Sequence, residues 1–258
     1  MPGLMRFAAL CVLASTLAGC ASLPEGRQPD PKDPFERYNR AMYSFNDAVD
    51  RAVLKPVARA YKFVTPDLVQ RGVANFFGNI SDLPTAVNDL LQGKPGQAAT
   101  HVGRFAVNST FGVLGIFDIA SSMGLERQRE DFGQTLGRWG IDSGPYVVLP
   151  LLGPSSVRDT FGLVGDVGLD PLVYVSDDGW RYGLIGLRVV EQRAAVLDIE
   201  KTLKSIELDP YLFTRDAYLA RRRSNVYDGN PPEPAASPES TPSPTPDPAP
   251  PMDAASAP

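Results

Sequence analysis

His101 is the only histidine in the 258 residues, so a serine-hydrolase mechanism would have to use it as the general base. The chain has no Gly-x-Ser-x-Gly turn that could present a serine nucleophile to this histidine. His101 also falls inside a helix predicted over 96–109, where a histidine is more often a packed or capping side chain than a base. The residues therefore favour a structural role for His101.

Metal-dependent and glycosidase chemistry are also weakly supported. The sequence has no His-Glu-x-x-His motif, and its acidic residues do not follow the spacing of a calcium-binding loop. Glu126, Glu130 and Asp131 could supply the paired carboxylates of a glycosidase, but a solvated loop between helices is the simpler interpretation. We predict no catalytic residue, no metal site and no cofactor.

Cys20 offers a different chemistry, because its thiol can be acylated. It follows an apolar stretch that starts at Phe7, after the single cation Arg6, which is the pattern of a secretory signal. The run LAGC at 17–20 resembles the lipobox of bacterial lipoproteins, so we predict a signal peptide over 1–19 and lipid attachment at Cys20. The alternative is an ordinary signal peptide cleaved elsewhere. Several acyl chains on Cys20 would anchor the protein without spanning the membrane.

The residue after Cys20 is Ala21 rather than Asp, which by resemblance to enteric lipoproteins indicates the outer membrane, facing the periplasm. Residues 20–32 are rich in proline and are predicted to be a lipidated tether. Residues 230–258 contain eleven prolines and no aromatic residue, and we predict a disordered tail. The tail is either a spacer or an arm that binds the cell wall or a partner. The folded domain is expected over 33–229.

The charge of the chain argues against nucleic acid as a partner. The formal net charge is −5, and no basic stripe is interleaved with aromatic residues. The one dense basic cluster is Arg221, Arg222 and Arg223. It lies near the end of a predicted helix, where cations complement the helix dipole.

The predicted elements are helices, and the fold class is all-α. Phe35, Tyr38, Met42, Phe45, Val49 and Val53 repeat at helical spacing and predict one core-facing stripe, with Asp33 as the N-cap of a capping box. A second stripe from Tyr182 to Ile206 predicts one long helix, and Asp209-Pro210 opens the last one. Further helices are predicted over 65–78, over 83–91 with Ser81-Asp82 as its cap, and over 96–109.

The region from 102 to 175 mixes large apolar residues with glycine. None of its runs reaches the roughly 18 apolar residues that a spanning helix needs. Such segments can form an ordinary core, lie in a membrane interface, or pack as a ring. The β-like run 146–149 is bounded by prolines at both ends, so we predict no sheet there.

Several longer sequence motifs follow one another along this core. They are DPFERYNRAMYSFN at 33–46, FGNISD at 77–82, NDLLQG at 88–93, GVLGIFD at 112–118, FGQTLGRWG at 132–140 and GPYVVLPLLGPSSVRD at 144–159. Together they resemble the MlaA (VacJ) lipoproteins, and they begin shortly after the lipobox. The resemblance covers nearly the whole predicted domain.

This resemblance implies a single ring-like domain of long and short helices in the inner leaflet of the outer membrane, with a central amphipathic channel. Family members remove mislocalised phospholipid from the outer leaflet, pass it to the periplasmic carrier MlaC, and sit beside trimeric porins. The lipid is not changed covalently, so the resemblance implies a transport component and not an enzyme. A hydrolytic lipoprotein and a structural bridge between membrane and wall are the alternatives.

A lipid that crosses a leaflet needs a polar path for its headgroup, because an unpartnered charge is costly to desolvate. Asp142, Arg158, Asp159 and Asp166 lie among glycines and apolar residues, and they are our candidates for channel or headgroup-facing positions. The alternative for Arg158 and Asp159 is the first turn of a helix capped by the preceding serines, with both charges on the surface.

Overall fold

The computed structural model describes residues 30–203 and 209–232, which form a mostly helical domain. The predicted signal peptide, Cys20, most of the tether and residues 233–258 of the tail lie outside these ranges. The first half of the domain contains α1 (Glu36–Val49), a π-helical turn (Asp50–Leu54), α2 (Lys55–Val64), α3 (Asp67–Leu91), α4 (Pro95–Thr110) and α5 (Ile119–Ser122).

The second half contains the short hairpin and the remaining helices. They are α6 (Phe132–Arg138), β1 (Tyr146–Leu149), β2 (Gly153–Ser156), α7 (Val157–Leu169), a 3₁₀ turn (Pro171–Tyr174), α8 (Asp178–Ala195), α9 (Leu197–Leu203) and α10 (Pro210–Val226). The long helix predicted over 182–206 is thus two helices that break at Val196, and its predicted end lies outside the described residues.

The helices predicted over 65–78 and 83–91 are one continuous helix, α3, with Pro84 inside it. Ser81 does not cap a new helix, because its hydroxyl donates to the carbonyl of Phe77 one turn earlier, at 2.9 Å. Asp82 is also not a cap, since its carboxylate faces the guanidinium of Arg127 at 3.2 Å. The prediction that Ser81 and Asp82 cap a helix is therefore wrong, because both side chains have other partners.

The run 146–149 does form a strand, against our prediction. β1 pairs with β2 in an antiparallel hairpin in which Val148 lies opposite Pro154. Proline is tolerated here because both strands of a two-stranded sheet are edge strands. Leu151 and Gly153, with φ of 64° and 85°, make the turn between them.

Two asparagines of α1 join this helix to the hairpin through their amides. Asn39 donates to the carbonyl of Tyr146 at 2.9 Å and accepts from the N–H of Val148 at 2.8 Å. Asn46 makes the same pair of bonds one step further along, with the carbonyl of Leu149 and the N–H of Leu151. The side chains therefore supply the hydrogen bonds that a neighbouring strand would supply.

Asp33 is not the N-cap of α1, because the helix begins at Glu36 and has no side-chain cap. Its carboxylate is buried instead, where it accepts hydrogen bonds from Asn39 at 2.7 Å and from the hydroxyl of Tyr211. A buried carboxylate needs such partners. Asp33 therefore joins the start of the domain to α10.

The elements contact one another in a closed circuit. α1 packs on the hairpin, the hairpin on α10, α10 on α6, α6 on α3, α3 on α8, and α8 on α2, which continues through the π-helical turn into α1. α4 lies along α3, and α7 lies along α6. This arrangement is the ring-like helical domain that the family resemblance implied.

Burial in this ring is the reverse of that in a water-soluble protein. Among the described residues, 21 of the buried residues are polar or charged and 13 are hydrophobic, whereas Phe63 is 91% exposed and Phe111 is 75% exposed. Soluble monomers seldom expose so many large apolar side chains, and such surfaces mark contact with lipid or protein. Most buried residues of the ring are thus polar, and many large apolar side chains lie on its exterior.

The predicted core stripe of α1 follows this reversed pattern. Phe35, Tyr38, Phe45 and Val53 of the stripe are exposed, and Met42 is buried. The buried positions of α1 are Glu36, Asn39 and Met42. The periodicity identified the apolar face correctly, but the prediction that this face points into the core is wrong.

The loop between α4 and α5 presents apolar side chains outward from a strained backbone. Val113 and Leu114 have φ of 52° and 57°, and they are followed by Gly115 at 87°. A β-branched residue with positive φ is an outlier that its surroundings must hold in place. Asn75 does so by donating to the carbonyl of Ile116 at 3.1 Å, and the N–H of Gly115 donates to the carbonyl of Asn108 at 2.8 Å.

We predict that Gly115→Ala destabilises the domain more than Gly93→Ala. Both glycines have positive φ, which costs an alanine about 1–2 kcal/mol. Only at Gly115 would the new Cβ also meet the side chain of Asn79, at 2.5 Å, and such overpacking adds roughly 1–3 kcal/mol. Thermal unfolding in detergent measures the difference. Equal losses for the two variants would contradict the close packing of this loop.

Candidate functional site

An open cleft of about 1090 Å³ lies between α10 and the segment that follows α6. Both glycines and charged side chains line it. The lining residues include Lys32, Gly137, Gly140, Ile141, Asp142, Ser143, Gly144, Arg158, Asp216, Leu219, Arg222, Arg223 and Val226. The cleft therefore combines a polar lining with apolar patches.

Two of the four residues predicted to face a headgroup line this cleft. Asp142 is exposed, and its carboxylate accepts from the N–H of Ser143 at 2.6 Å. Arg158 is buried apart from the part that borders the cleft, and it donates to Asp159 at 3.0 Å and to the carbonyl of Ile141 at 3.4 Å. Asp159 and Asp166 do not line the cleft and lie behind its wall.

The wall behind the cleft is held by an ion cluster centred on Arg222. Its guanidinium donates to both oxygens of Asp131, at 2.5 and 2.8 Å, and to both oxygens of Asp159, at 2.9 and 3.0 Å. The hydroxyl of Tyr218 adds a bond to Asp159 at 2.7 Å. One arginine of α10 thus joins the N-terminal turns of α6 and α7.

Both carboxylates of the cluster remain ionised because of this arginine. Burial alone would raise the pKa of Asp131 and of Asp159, but the hydrogen bonds and the charge of Arg222 outweigh it, so both pKa values are lowered. Asp159 and Arg222 are buried and Asp131 is partly exposed, and a buried ion pair is costly to assemble and still more costly to break.

Ser156 does cap α7, as the alternative for Arg158 and Asp159 proposed, since its hydroxyl accepts from the N–H of Asp159 at 3.1 Å. The two charges, however, are not on the surface. Each residue is 7% exposed, because Arg222 and Tyr218 draw Asp159 into the wall.

Glycines allow the charged groups of this wall to approach so closely. A Cβ on Gly133 would lie 2.6 Å from Arg222 Nη2 and from Asp159 Oδ1, and a Cβ on Gly162 would lie 2.6 Å from the backbone nitrogen of Gly133. α6 and α7 can therefore pack only with glycine at both positions. The roles of these glycines were not predicted, although Gly133 lies in the motif FGQTLGRWG at 132–140.

Among Asp131, Asp159 and Asp166, the ionised form is least favourable at Asp166. Burial raises its pKa to about 6, the N–H of Phe132 opposes this with a hydrogen bond at 2.8 Å, and the charge of Asp131 raises it further. Near neutral pH the carboxylate of Asp166 is therefore ionised, although its burial makes the charged form unfavourable.

The acidic group Glu126, Glu130 and Asp131 is not the solvated loop we predicted. Glu130 is buried and pairs with Lys94 at 3.2 Å, and Asp131 caps α6 and binds Arg222. Only Glu126 is exposed. Glu130 and Asp131 are occupied by different cations, which leaves neither free to act in a carboxylate pair.

His101 is buried, and both of its ring nitrogens are engaged. Nδ1 lies 2.7 Å from Asp89, and Nε2 lies 3.3 Å from the N–H of Gln128, which donates to it. The nitrogen that a general base would turn toward a nucleophile is thus occupied by the backbone. This geometry agrees with the structural role predicted for His101.

A second, apolar groove of about 410 Å³ lies between α3, α4 and the segment that follows α7. Its walls are almost wholly hydrocarbon. The lining residues are Leu83, Pro84, Ala86, Val87, Leu90, Val102, Leu169, Pro171 and Tyr174. Such a surface suits an acyl chain better than a polar ligand.

Within the described ranges, no group of three or more histidine, cysteine, aspartate or glutamate side chains is placed to hold a metal ion. No described helix is both long enough and apolar enough to cross a bilayer.

The family described as MlaA lipoprotein has a model that matches residues 31–225, which includes most of the cleft, the Arg222 cluster and the hairpin. The chain belongs to the MlaA family. The MlaA of Escherichia coli, the lipoprotein of an intermembrane phospholipid transport system, is 35% identical over 238 residues, covering 91% of this chain and 93% of its own. The MlaA of Haemophilus influenzae bears the same description and is 33% identical over 222 residues, 84% of this chain and 88% of its own.

A solved structure is similar in fold as well as in sequence. It was described as the structural basis for maintenance of bacterial outer membrane lipid asymmetry, and it matches with a TM-score of 0.66 and 33% identity over 77% of this chain and 99% of that one. The resemblance to MlaA that the sequence indicated is confirmed, and so is the mostly helical fold.

We predict that Arg222→Met costs about 3–5 kcal/mol of folding free energy, because it leaves Asp131 without its cation and leaves the buried Asp159 with Arg158 alone. The matched control is Arg221→Met, which removes the same charge from the exposed neighbouring position of α10 and should change stability by at most about 0.5 kcal/mol. Thermal unfolding of the two variants in detergent measures the difference. Similar losses would mean that the cluster does not hold the wall.

We also predict that Asp166 makes the domain less stable as the pH rises. Its pKa is raised from 3.8 to about 6 in the folded state, so protonation favours folding and stability increases as the pH falls from about 7 to about 4. Asp166→Asn keeps an oxygen for the N–H of Phe132 and should gain on the order of 1–2 kcal/mol at pH 8, with no gain at pH 4. Unfolding across this range tests the claim, and a gain that does not depend on pH would refute it.

Proposed function

We propose that this chain is an outer-membrane lipoprotein that removes mislocalised phospholipid from the outer leaflet and passes it to a periplasmic carrier, so that the lipid asymmetry of the membrane is kept. The reversed burial of the ring carries the proposal. An apolar exterior suits the acyl region of a leaflet, and a polar interior suits the passage of a headgroup. The descriptions of the E. coli and H. influenzae relatives support it.

In this proposal Cys20 carries the acyl chains, the ring lies in the inner leaflet on the periplasmic side, and the carrier is MlaC. A trimeric porin is the proposed neighbour in the membrane, as the family resemblance implies. The chain would move lipid without breaking a covalent bond. The occupied ring nitrogens of His101 support transport over hydrolysis.

We propose the cleft of about 1090 Å³ as the path of the headgroup. Arg158 would face the phosphate and Asp142 the amine of a zwitterionic headgroup, because these two side chains border the cleft with opposite charges. Asp159 and Asp166 would hold the wall in place rather than touch the lipid. The apolar groove beside α3 would take an acyl chain.

The test is the amount of phospholipid in the outer leaflet of cells that lack the protein. We expect accumulation on deletion, reversal by the wild-type chain, and little reversal by Cys20→Ala at equal protein level, because an unlipidated chain is not held at the membrane. Asp142→Arg, at an exposed position, should restore transport only in part.

Two results would argue against the proposal. Absence of accumulation in the deletion strain would remove the transport function. Appearance of lysophospholipid or free fatty acid that depends on the chain would instead indicate a hydrolase.

A further inference from the structure

A small groove of about 300 Å³ lies between α2 and α9, away from the cleft and the ion cluster. One wall is a row of cations on α2, and the other carries two carboxylates of α9. Its lining residues are Lys55, Arg59, Lys62, Phe63, Leu197, Asp198 and Glu200. The proposed transport path uses none of them.

Two of the three cations of the groove are already paired. Lys55 lies 2.5 Å from Glu200, and Lys62 binds Asp198. Glu200 is also bound by Arg193, at 2.6 Å. The carboxylates of the groove are therefore neutralised by neighbouring cations.

Arg59 is different, because this exposed residue has no hydrogen bond or ion pair with any part of the chain that the structure describes. Three cations and two carboxylates leave the lining with one unbalanced positive charge. A phosphodiester carries one negative charge, and the planar fork of a guanidinium matches two of its oxygens. The groove therefore complements a single phosphodiester in charge and in geometry.

The surface next to Arg59 is strongly apolar. Phe63 borders the groove with 91% of its surface exposed, and Val64 and Leu68 follow at 72% and 65%. Cations with flexible stems beside exposed hydrocarbon are typical of the boundary between headgroups and acyl chains. Free phosphate would use the cations but would leave this apolar surface uncovered.

We propose that this groove binds the phosphodiester of a glycerophospholipid on the outside of the ring, with Arg59 on the phosphate oxygens and Phe63 against the glycerol and the first part of an acyl chain. The site would hold a resident lipid of the surrounding leaflet. It is separate from the transported lipid in the cleft, so it rests on the proposed position of the ring in a leaflet but not on the proposed transport.

The experiment uses full-length lipidated protein in a phosphate-free detergent and a phosphatidylglycerol with a diazirine in its acyl chain. After irradiation, mass spectrometry maps the adducts along the chain. We expect adducts on the segment from Arg59 to Leu68, and competition by dioctanoyl-phosphatidylglycerol but not by inorganic phosphate at the same concentration. Adducts on the apolar groove beside α3, which is proposed to take an acyl chain, serve as the internal reference.

Arg59→Gln should lower labelling of this segment about tenfold, which corresponds to the loss of about 1.4 kcal/mol from one charge-assisted contact, and should leave labelling of the apolar groove beside α3 unchanged. Arg221→Gln is the matched control, since it removes the charge of another exposed arginine that does not line the groove, and it should have no effect. Labelling that persists in Arg59→Gln would overturn the site. Equal competition by inorganic phosphate would show a free-phosphate site and would overturn the assignment to lipid.

Discussion

The structure depends on one constraint: a charge buried inside this ring must be paired within the ring. Arg104 is fully buried and donates to both oxygens of Asp118, at 2.9 Å each, and Arg222 does the same for Asp131 and Asp159. An unpaired charge at either place would cost several kcal/mol. These pairs fix how the helices close the ring, and they leave the apolar faces to point outward. The cleft and the grooves are surfaces of a frame that is held together by ion pairs.

The sequence predicted the elements of this frame better than their orientation. Helical spacing of apolar residues marked α1 and α8 correctly, because spacing reports a face whichever way that face points. The assumption that apolar residues are buried then placed Phe35 and Phe45 in the core, whereas they are 48% and 38% exposed. Nothing local distinguishes the two orientations. The longer motifs do distinguish the two orientations, because their resemblance to MlaA implies that the protein lies in a membrane.

The site was predicted in part for the same reason. Asp142 and Arg158 could be proposed because charged residues among glycines stand out in a sequence, and both border the cleft. The central residue, Arg222, was read as one of three helix-terminal cations, since its partners Asp131 and Asp159 are 91 and 63 residues away. Pairing over such distances cannot be read from spacing. The hairpin was missed because the bonds from Asn39 and Asn46 that support it also come from far away in the sequence.

Those two asparagines also bear on how the protein is made. The amide of Asn39 binds Tyr146, 107 residues later, and the amide of Asn46 binds Leu149, 103 residues later. α1, the first described helix of the chain, therefore finds these partners only after more than half of the chain has been synthesised. Contacts of such long range form slowly. Until the ring closes, the apolar faces and the unpaired amides are present together in an open chain, so the interval before closure is the one in which this protein is most exposed to aggregation.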